Sequence, residues 1–186
     1  ALRPMREDDL LRFAWVADPQ ISPDGTRVAF TRVTVDAEAD AYVTAIWLAD
    51  VAGGSARPLT NGKWDSQPRW SPDGSAIAFV RKGDAEQPAQ LHVLPMAGGE
   101  ALKLTSLEKG ASSPAWSPDG TRLAFLSGTN PALDAVKKPK PKNEPGRVVT
   151  SPMFRMDNEG FLDFDHLDHV WVIPAAGGEA RQLTQG

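Results

Sequence analysis

The chain of 186 residues contains no cysteine, which excludes disulfides, thiolate-bound metal and a cysteine nucleophile. Such a chain fits a reducing compartment, so a cytoplasmic location is expected. Its three histidines, His92, His166 and His169, show no zinc-ligand spacing, and no glycine-rich phosphate loop is present. A hydrolase elbow of the Gly-x-Ser-x-Gly kind is also missing. The nearest approach, Gly53-Gly54-Ser55-Ala56-Arg57, lacks the last glycine. No catalytic residue, metal or cofactor is therefore expected within this chain. A net charge of −4 disfavours a nucleic-acid partner. No apolar run has the length of a membrane span, so no membrane partner is expected either. Wholesale disorder is excluded by 41% hydrophobic and 24% charged residues, a globular composition.

What the chain has in quantity is repetition. Ser-Pro-Asp-Gly begins at Ser22, Ser71 and Ser117, at steps of 49 and 46 residues. Gly-Gly recurs at Gly53-Gly54, Gly98-Gly99 and Gly177-Gly178, and Leu-Thr at Leu59-Thr60, Leu104-Thr105 and Leu183-Thr184. The stretch from Gln67 to Thr105 reads as four antiparallel strands, ending at Trp70, centred on Ile77 and Phe79, centred on Leu91 and Val93, and ending at Leu104. Ser-Pro-Asp-Gly suits a type I turn closing a hairpin through a bulge, and Gly-Gly suits a primed two-residue hairpin turn. Period 2 puts Ile77 and Phe79 on one face and Ala76 and Ala78 on the other, where small side chains admit a neighbouring sheet. Four short strands per period in the forties specify propeller blades. A β-sandwich would not repeat three ordered features in phase.

The chain thus divides into an N-terminal arm (1–17), blade one (18–60), blade two (61–105) and blade three (106–186), with an insertion at about 128–167. The fold class is all-β: a partial β-propeller of three four-stranded antiparallel blades, with an extra hairpin in the third and a short N-terminal helical arm. In blade one Val28 and Phe30 are expected inward, and the acidic patch Asp36, Glu38 and Asp40 is expected to be a solvated turn. His92 reads as a packed histidine in phase with Leu94. The first half of the insertion, rich in Pro and in Lys137, Lys138, Lys140 and Lys142, reads as extended and self-repelling; it lacks aromatics for base stacking. Its second half reads as a hairpin, with Val148, Val149, Met153, Phe154 and Met156 before a turn and Phe161, Leu162 and Phe164 after it. His166 and His169, in an extended segment, would point to opposite faces. Propellers close with roughly four to eight blades, so three leave a sheet face open at each end. At about 25 cal/mol per Å², an open face of order 500 Å² costs roughly 12 kcal/mol, a whole domain's stability. More protein is expected to cover these faces.

The P-x-W-SPDG-x-x-x-AF and Gly-Gly-x-x-x-x-Leu-Thr units, entered through Asp9-Leu10-Leu11 and Ala17 to Gly25, resemble the N-terminal propeller of prolyl oligopeptidase-family serine peptidases. The acylaminoacyl-peptidase and dipeptidyl-peptidase-like branch is the nearest. Phe154 to Phe161, ahead of His169-Val170-Trp171-Val172, is similar to the blade-three extension of that branch. The resemblance implies a ring that gates and positions peptide substrates. It also implies partners: the remaining blades, an α/β-hydrolase domain carrying Ser, Asp and His outside this chain, and an oligomer. It points to Arg155 as a substrate-facing cation with Phe154 as wall. The blade motif is shared with propellers of the Tol translocation system, which leaves a non-enzymatic propeller mediating protein–protein interaction as the alternative.

Overall fold

The computed structural model describes residues 3–84, 87–134, 155–156, 160–161 and 163–185. The three Ser-Pro-Asp-Gly turns are alike atom for atom. Each Gly amide donates to the Ser carbonyl at 2.9 Å, and Gly25, Gly74 and Gly120 take φ of 70, 71 and 69°, a left-handed conformation that glycine adopts without strain. The Ser hydroxyl donates to the Asp carboxylate at 2.5, 2.6 and 2.6 Å. It accepts the amide of Arg27, Ala76 or Arg122. The same carboxylate oxygen also takes the amide and hydroxyl of Thr26, Ser75 or Thr121. Each turn is thus closed by side chains as well as by the ladder.

These turns join the first two strands of three four-stranded antiparallel sheets. Blade one holds β1 (Ala14–Ile21), β2 (Arg27–Asp36), β3 (Ala41–Asp50) and β4 (Arg57–Pro58). Blade two holds β5 (Asp65–Trp70), β6 (Ala76–Arg81), β7 (Gln90–Pro95) and β8 (Leu102–Lys103). Blade three holds β9 (Ser112–Trp116), β10 (Arg122–Ser127), β13 (His169–Pro174) and β14 (Arg181–Gln182). In the insertion, β11 (Arg155–Met156) pairs with β12 (Gly160–Phe161), which is the expected hairpin. Phe164, expected in its second strand, instead begins a 3-10 turn, Phe164–His166. The Pro- and Lys-rich half, expected to be extended, starts with a helical turn, Pro131–Asp134, and from residue 135 to Phe154 lies outside the described residues. The N-terminal arm carries a 3-10 turn, Glu7–Arg12, and its last residues already belong to β1.

Leu-Thr ends each blade for a definite reason. The Leu amide donates to the carbonyl of Ile46, Leu91 or Val170, and the Thr hydroxyl accepts the amide of that same residue at 2.9 to 3.0 Å. One residue therefore continues the ladder beyond a two-residue strand. The Gly-Gly pairs differ from expectation. The turn is centred on the two residues before them, with Gly53, Gly98 and Gly177 donating to Asp50, Pro95 and Pro174. Both glycines then carry the chain at positive φ toward the fourth strand. A six-residue connection, Met96 to Ala101, replaces the two-residue hairpin.

The faces of blade two separate as period 2 requires. Ile77, Phe79 and Leu94 pack with Ala29, Ile46 and Leu48 of blade one, while Ala78, Leu91 and Val93 pack with Leu123, Phe125, Trp171 and Ile173 of blade three. Every interface thus sets a bulky face of one blade against a small-to-medium face of the blade before it. In blade one the corresponding bulky positions are Val28 and Phe30, paired with Ala49 and Trp47. Ala29 joins the core shared with blade two and Phe30 does not. Phe30 is buried, as expected of an inward residue, and Val28 is half-buried, but Ala29, one step along the pleat, is the residue that joins the core shared with blade two.

Candidate functional site

In a propeller the first strand of each blade lines the axis, here β1, β5 and β9. Asp18, Gln67 and Ser113 occupy the same place in the three strands, and each has positive φ, 47, 56 and 52°. Each precedes a proline, Pro19, Pro68 or Pro114, and sits where the pairing register slips. An edge strand tolerates proline because the missing N–H would have had no partner. Side chains tie these strands across blades. Arg69 donates to Asp18 at 2.7 Å and to the Pro68 carbonyl, Gln20 donates to Asp18, and the Ser113 amide donates to Gln67. Trp70 and Trp116 donate their indole N–H to the carbonyls of Gln20 and Arg69 in the preceding blade. The axial wall is therefore polar and fixed, with a cation, a carboxylate and two amides in sequence. The only advance signal was Pro three residues ahead of each Ser-Pro-Asp-Gly.

The two rims of the three blades differ. Among the described residues one carries the Ser-Pro-Asp-Gly and Gly-Gly turns, stacked so that Gly74 lies 3.6 Å from Pro23, and Gly120 the same distance from Pro72, measured from the Cβ each lacks. The opposite rim carries the arm, the long β2–β3 hairpin, the insertion and the links between blades. The hairpin leans onto blade two, where the Thr44 amide donates to Lys63 and Thr44 bridges Trp64. Its side bears the Trp15–Tyr42 edge-to-face pair, and Phe13, Trp15, Val16 and Tyr42 are exposed nearby. Exposed apolar residues of blade one thus lie on the decorated rim, and also at Ile21 and Val51 beside the turns of the other rim. The expected acidic turn is there as well: the Asp36 carboxylate caps the amides of Glu38 and Ala39.

At this rim Asp65, fully buried, takes a bidentate pair from Arg81 at 2.7 and 2.8 Å. It also accepts the Gly62 amide, and a Cβ on residue 62 would overlap its carboxylate. The hydrogen bond to Asp65 raises the Arg81 pKa. Arg81 borders a cleft of about 520 Å³ between blades one and two, with Thr60, Asn61, Leu94 and Glu100 around it. Arg32 occupies the matching place in blade one, but Val16 stands opposite it where Asp65 stands opposite Arg81. Its guanidinium lies over the Trp47 ring at 4.4 Å.

His92 is packed as expected: it stacks on Phe79 and its Nδ1 meets the Gln90 carbonyl at 3.0 Å. Burial pushes its pKa down, the Gln90 bond opposing this. Blades one and three have Trp47 and Trp171 in its place, beside Phe30 and Phe125, so the histidine substitutes for an aromatic plate. His166 lies in a 3-10 turn rather than the extended segment expected, between Asp134 and Asp163, while His169 opens β13 and meets Thr184. Among the described residues no group of three or more His, Cys, Asp or Glu could hold a metal, and no helix is long and apolar enough to cross a membrane. Phe154 lies outside the described residues, and Arg155 is placed only by its backbone, in β11.

Residues 13–160 match the family model of the TolB beta propeller domain. A Bacillus subtilis (strain 168) protein described as an uncharacterized peptidase, YuxL, is 36% identical over 182 residues, covering 95% of this chain and 27% of its own length. Among solved structures, the acylaminoacyl peptidase of Pyrococcus horikoshii superposes with a TM-score of 0.69 at 25% identity, over 94% of this chain and 26% of that one. The β-propeller domain of the Trilobed protease from Pyrococcus furiosus, described as having an open velcro topology, superposes with a TM-score of 0.60 at 18% identity, over 93% of this chain and 44% of that one. The chain spans about a quarter of the first two relatives. The expected likeness to peptidase propellers is thus found, and so is the partial β-propeller: this chain belongs to the TolB beta propeller domain family.

Proposed function

We propose that these three blades form part of the ring that gates and positions peptides for a serine-type hydrolase domain carried elsewhere in a longer protein, of the acylaminoacyl- or oligopeptidase kind. The observation that carries this reading is the pair of unlike open sheet faces. Val28 and Trp47, half-buried, with the buried Phe30 between them, repeat the bulky side of each interface at one end, and the half-buried Ala124 and Val172 repeat the small side at the other. Further blades of the same kind fit both. Three blades correspond to 44% of the Trilobed protease propeller, which supports a ring of about seven. In this reading the ring excludes folded proteins and the polar axial wall meets the peptide, while an activated serine beside an oxyanion hole performs the acyl transfer.

Arg155, with Phe154 beside it, is proposed as a substrate-facing cation on the insertion. Arg155→Ala in the whole protein raises KM for peptides with a charged terminus and leaves kcat unchanged; an unchanged KM removes it from the site. The primary test is labelling of the whole protein with a serine-directed fluorophosphonate, which is expected to modify one serine outside this chain. The family match to TolB-type propellers supports a second reading, a non-enzymatic ring whose decorated rim binds a protein. Absence of labelling together with a captured protein partner would favour it.

A further inference from the structure

We infer that His166 is a pH-sensitive latch that holds together the two flanks of the blade-three insertion. Its Nδ1 lies 2.7 Å from Asp163 Oδ2 and its Nε2 lies 3.0 Å from Asp134 Oδ1. Asp134 ends the helical turn on the outgoing flank, and Asp163 caps the 3-10 turn on the returning one. Ionised carboxylates only accept, and a neutral imidazole has a single N–H, so both contacts are hydrogen bonds only when the ring is an imidazolium. In the neutral ring one nitrogen lone pair faces a carboxylate oxygen.

The surroundings make that difference count. His166 and Asp134 side chains are 18% and 15% exposed, which limits screening by solvent and salt. Among the described residues Asp134 from the helical turn and Asp163 from its own segment meet the ring, Lys109 from the link between β8 and β9 reaches Asp163 at 3.4 Å, and Asp165 and Asp168 are its near neighbours in sequence. Other bonds depend on the same closure. Asp134 Oδ2 accepts the Asn130 amide, and the Asn130 side chain donates to the Asp165 carbonyl. Gly128 packs so closely that a Cβ would come within 2.5 Å of the His166 carbonyl oxygen.

The sign follows from the groups. Burial pushes the Asp163 pKa up, but the His166 bond and Lys109 outweigh it and leave it below its ordinary value. Its contribution is therefore intact above the ordinary carboxylate range and is lost as pH falls through the lowered value. With a neutral ring only one of the two contacts to Asp134 and Asp163 is a hydrogen bond, and the latch is released. The flanks are held in the window between.

Hydrogen exchange of the whole protein at about pH 5.5 and about pH 8.5, corrected for intrinsic rates, tests this. Protection of the Asn130, Asp134 and His166 amides is expected to fall roughly tenfold at the higher pH, while the β6 amides from Ile77 to Arg81 stay unchanged as the reference for an intact fold. His166→Gln shows the low protection at both pH values. Asp134→Asn keeps its protection at the higher pH, because an amide can donate to the ring's lone pair. Constant protection in the unmodified protein, or an undiminished pH dependence in either variant, overturns the latch.

Discussion

Replacing the blade-ending threonines by valine removes one oxygen and keeps the shape, so the cost reads out the hydrogen bond alone. Thr105 is nearly buried, accepting the Leu91 amide at 2.9 Å and donating to Gln90 at 2.7 Å. Gln90 in turn accepts and donates to Leu107. Thr105→Val strands a donor on a residue with no exposure, at about 1–3 kcal/mol, and also deprives Gln90 of a partner. A total near 3 kcal/mol is expected. Thr60 accepts the Ile46 amide at 3.0 Å and is 9% exposed, so Thr60→Val costs about 1–2 kcal/mol. Thr184 makes the same bond to Val170 in an exposed setting, where water replaces the lost oxygen and the change stays within about 0.5 kcal/mol. Urea unfolding resolves the series as midpoint shifts at constant slope. An equal cost at all three sites would refute the argument, because it would make the Leu-Thr repeat a matter of strand propensity.

Several other perturbations discriminate. Asp65→Asn breaks an ion pair whose carboxylate is fully buried and costs about 3 kcal/mol, the low end for such losses because Arg81 partly reaches solvent; Asp65→Leu combined with Arg81→Met recovers most of it, as thermal denaturation would show. Asp24, Asp73 and Asp119 are held at about 2 by their turn hydroxyls and amides. The stability they lend is therefore present above pH ~4 and disappears as pH falls toward ~2. Melting temperature followed through that range should drop less in the triple Asp→Asn variant. Trp116→Phe removes the indole bond to Arg69 and lowers stability by about 1 kcal/mol beyond the area lost. The matching exchange Ile21→Phe in blade one changes little, since no such bond exists there.

The turns and the alternation on β6 were legible because each depends on residues near in sequence. Ser-Pro-Asp-Gly, with the hydroxyl residue that follows it, closes its own bonds within six residues, and nothing distant can reassign it. Gly-Gly was harder. Positive φ was foreseeable, but the turn is set by the two residues ahead of the glycines, and two-residue and six-residue connections share that requirement. The direction of Val28 and Phe30 depends on which blade lies on which side, and alternation alone does not contain that information. Arg69 with Asp18 and Arg81 with Asp65 join residues 51 and 16 apart, contacts fixed by the packing of neighbouring blades and by sheet register. His166 escaped because a 3-10 turn, not a strand, presents it to Asp134, 32 residues earlier.

The absence of native cysteine in this chain allows its two open faces to be probed with single thiols. Ala49→Cys and Val172→Cys place a sulfur on the bulky and the small face, and Ser55→Cys supplies an exposed reference. In the whole protein, rates of alkylation at 49 and 172 should be slowed by orders of magnitude relative to position 55, because further blades cover both faces. Alkylation at 49 and 172 as fast as at 55 would show that nothing packs there, and the proposed ring would not exist.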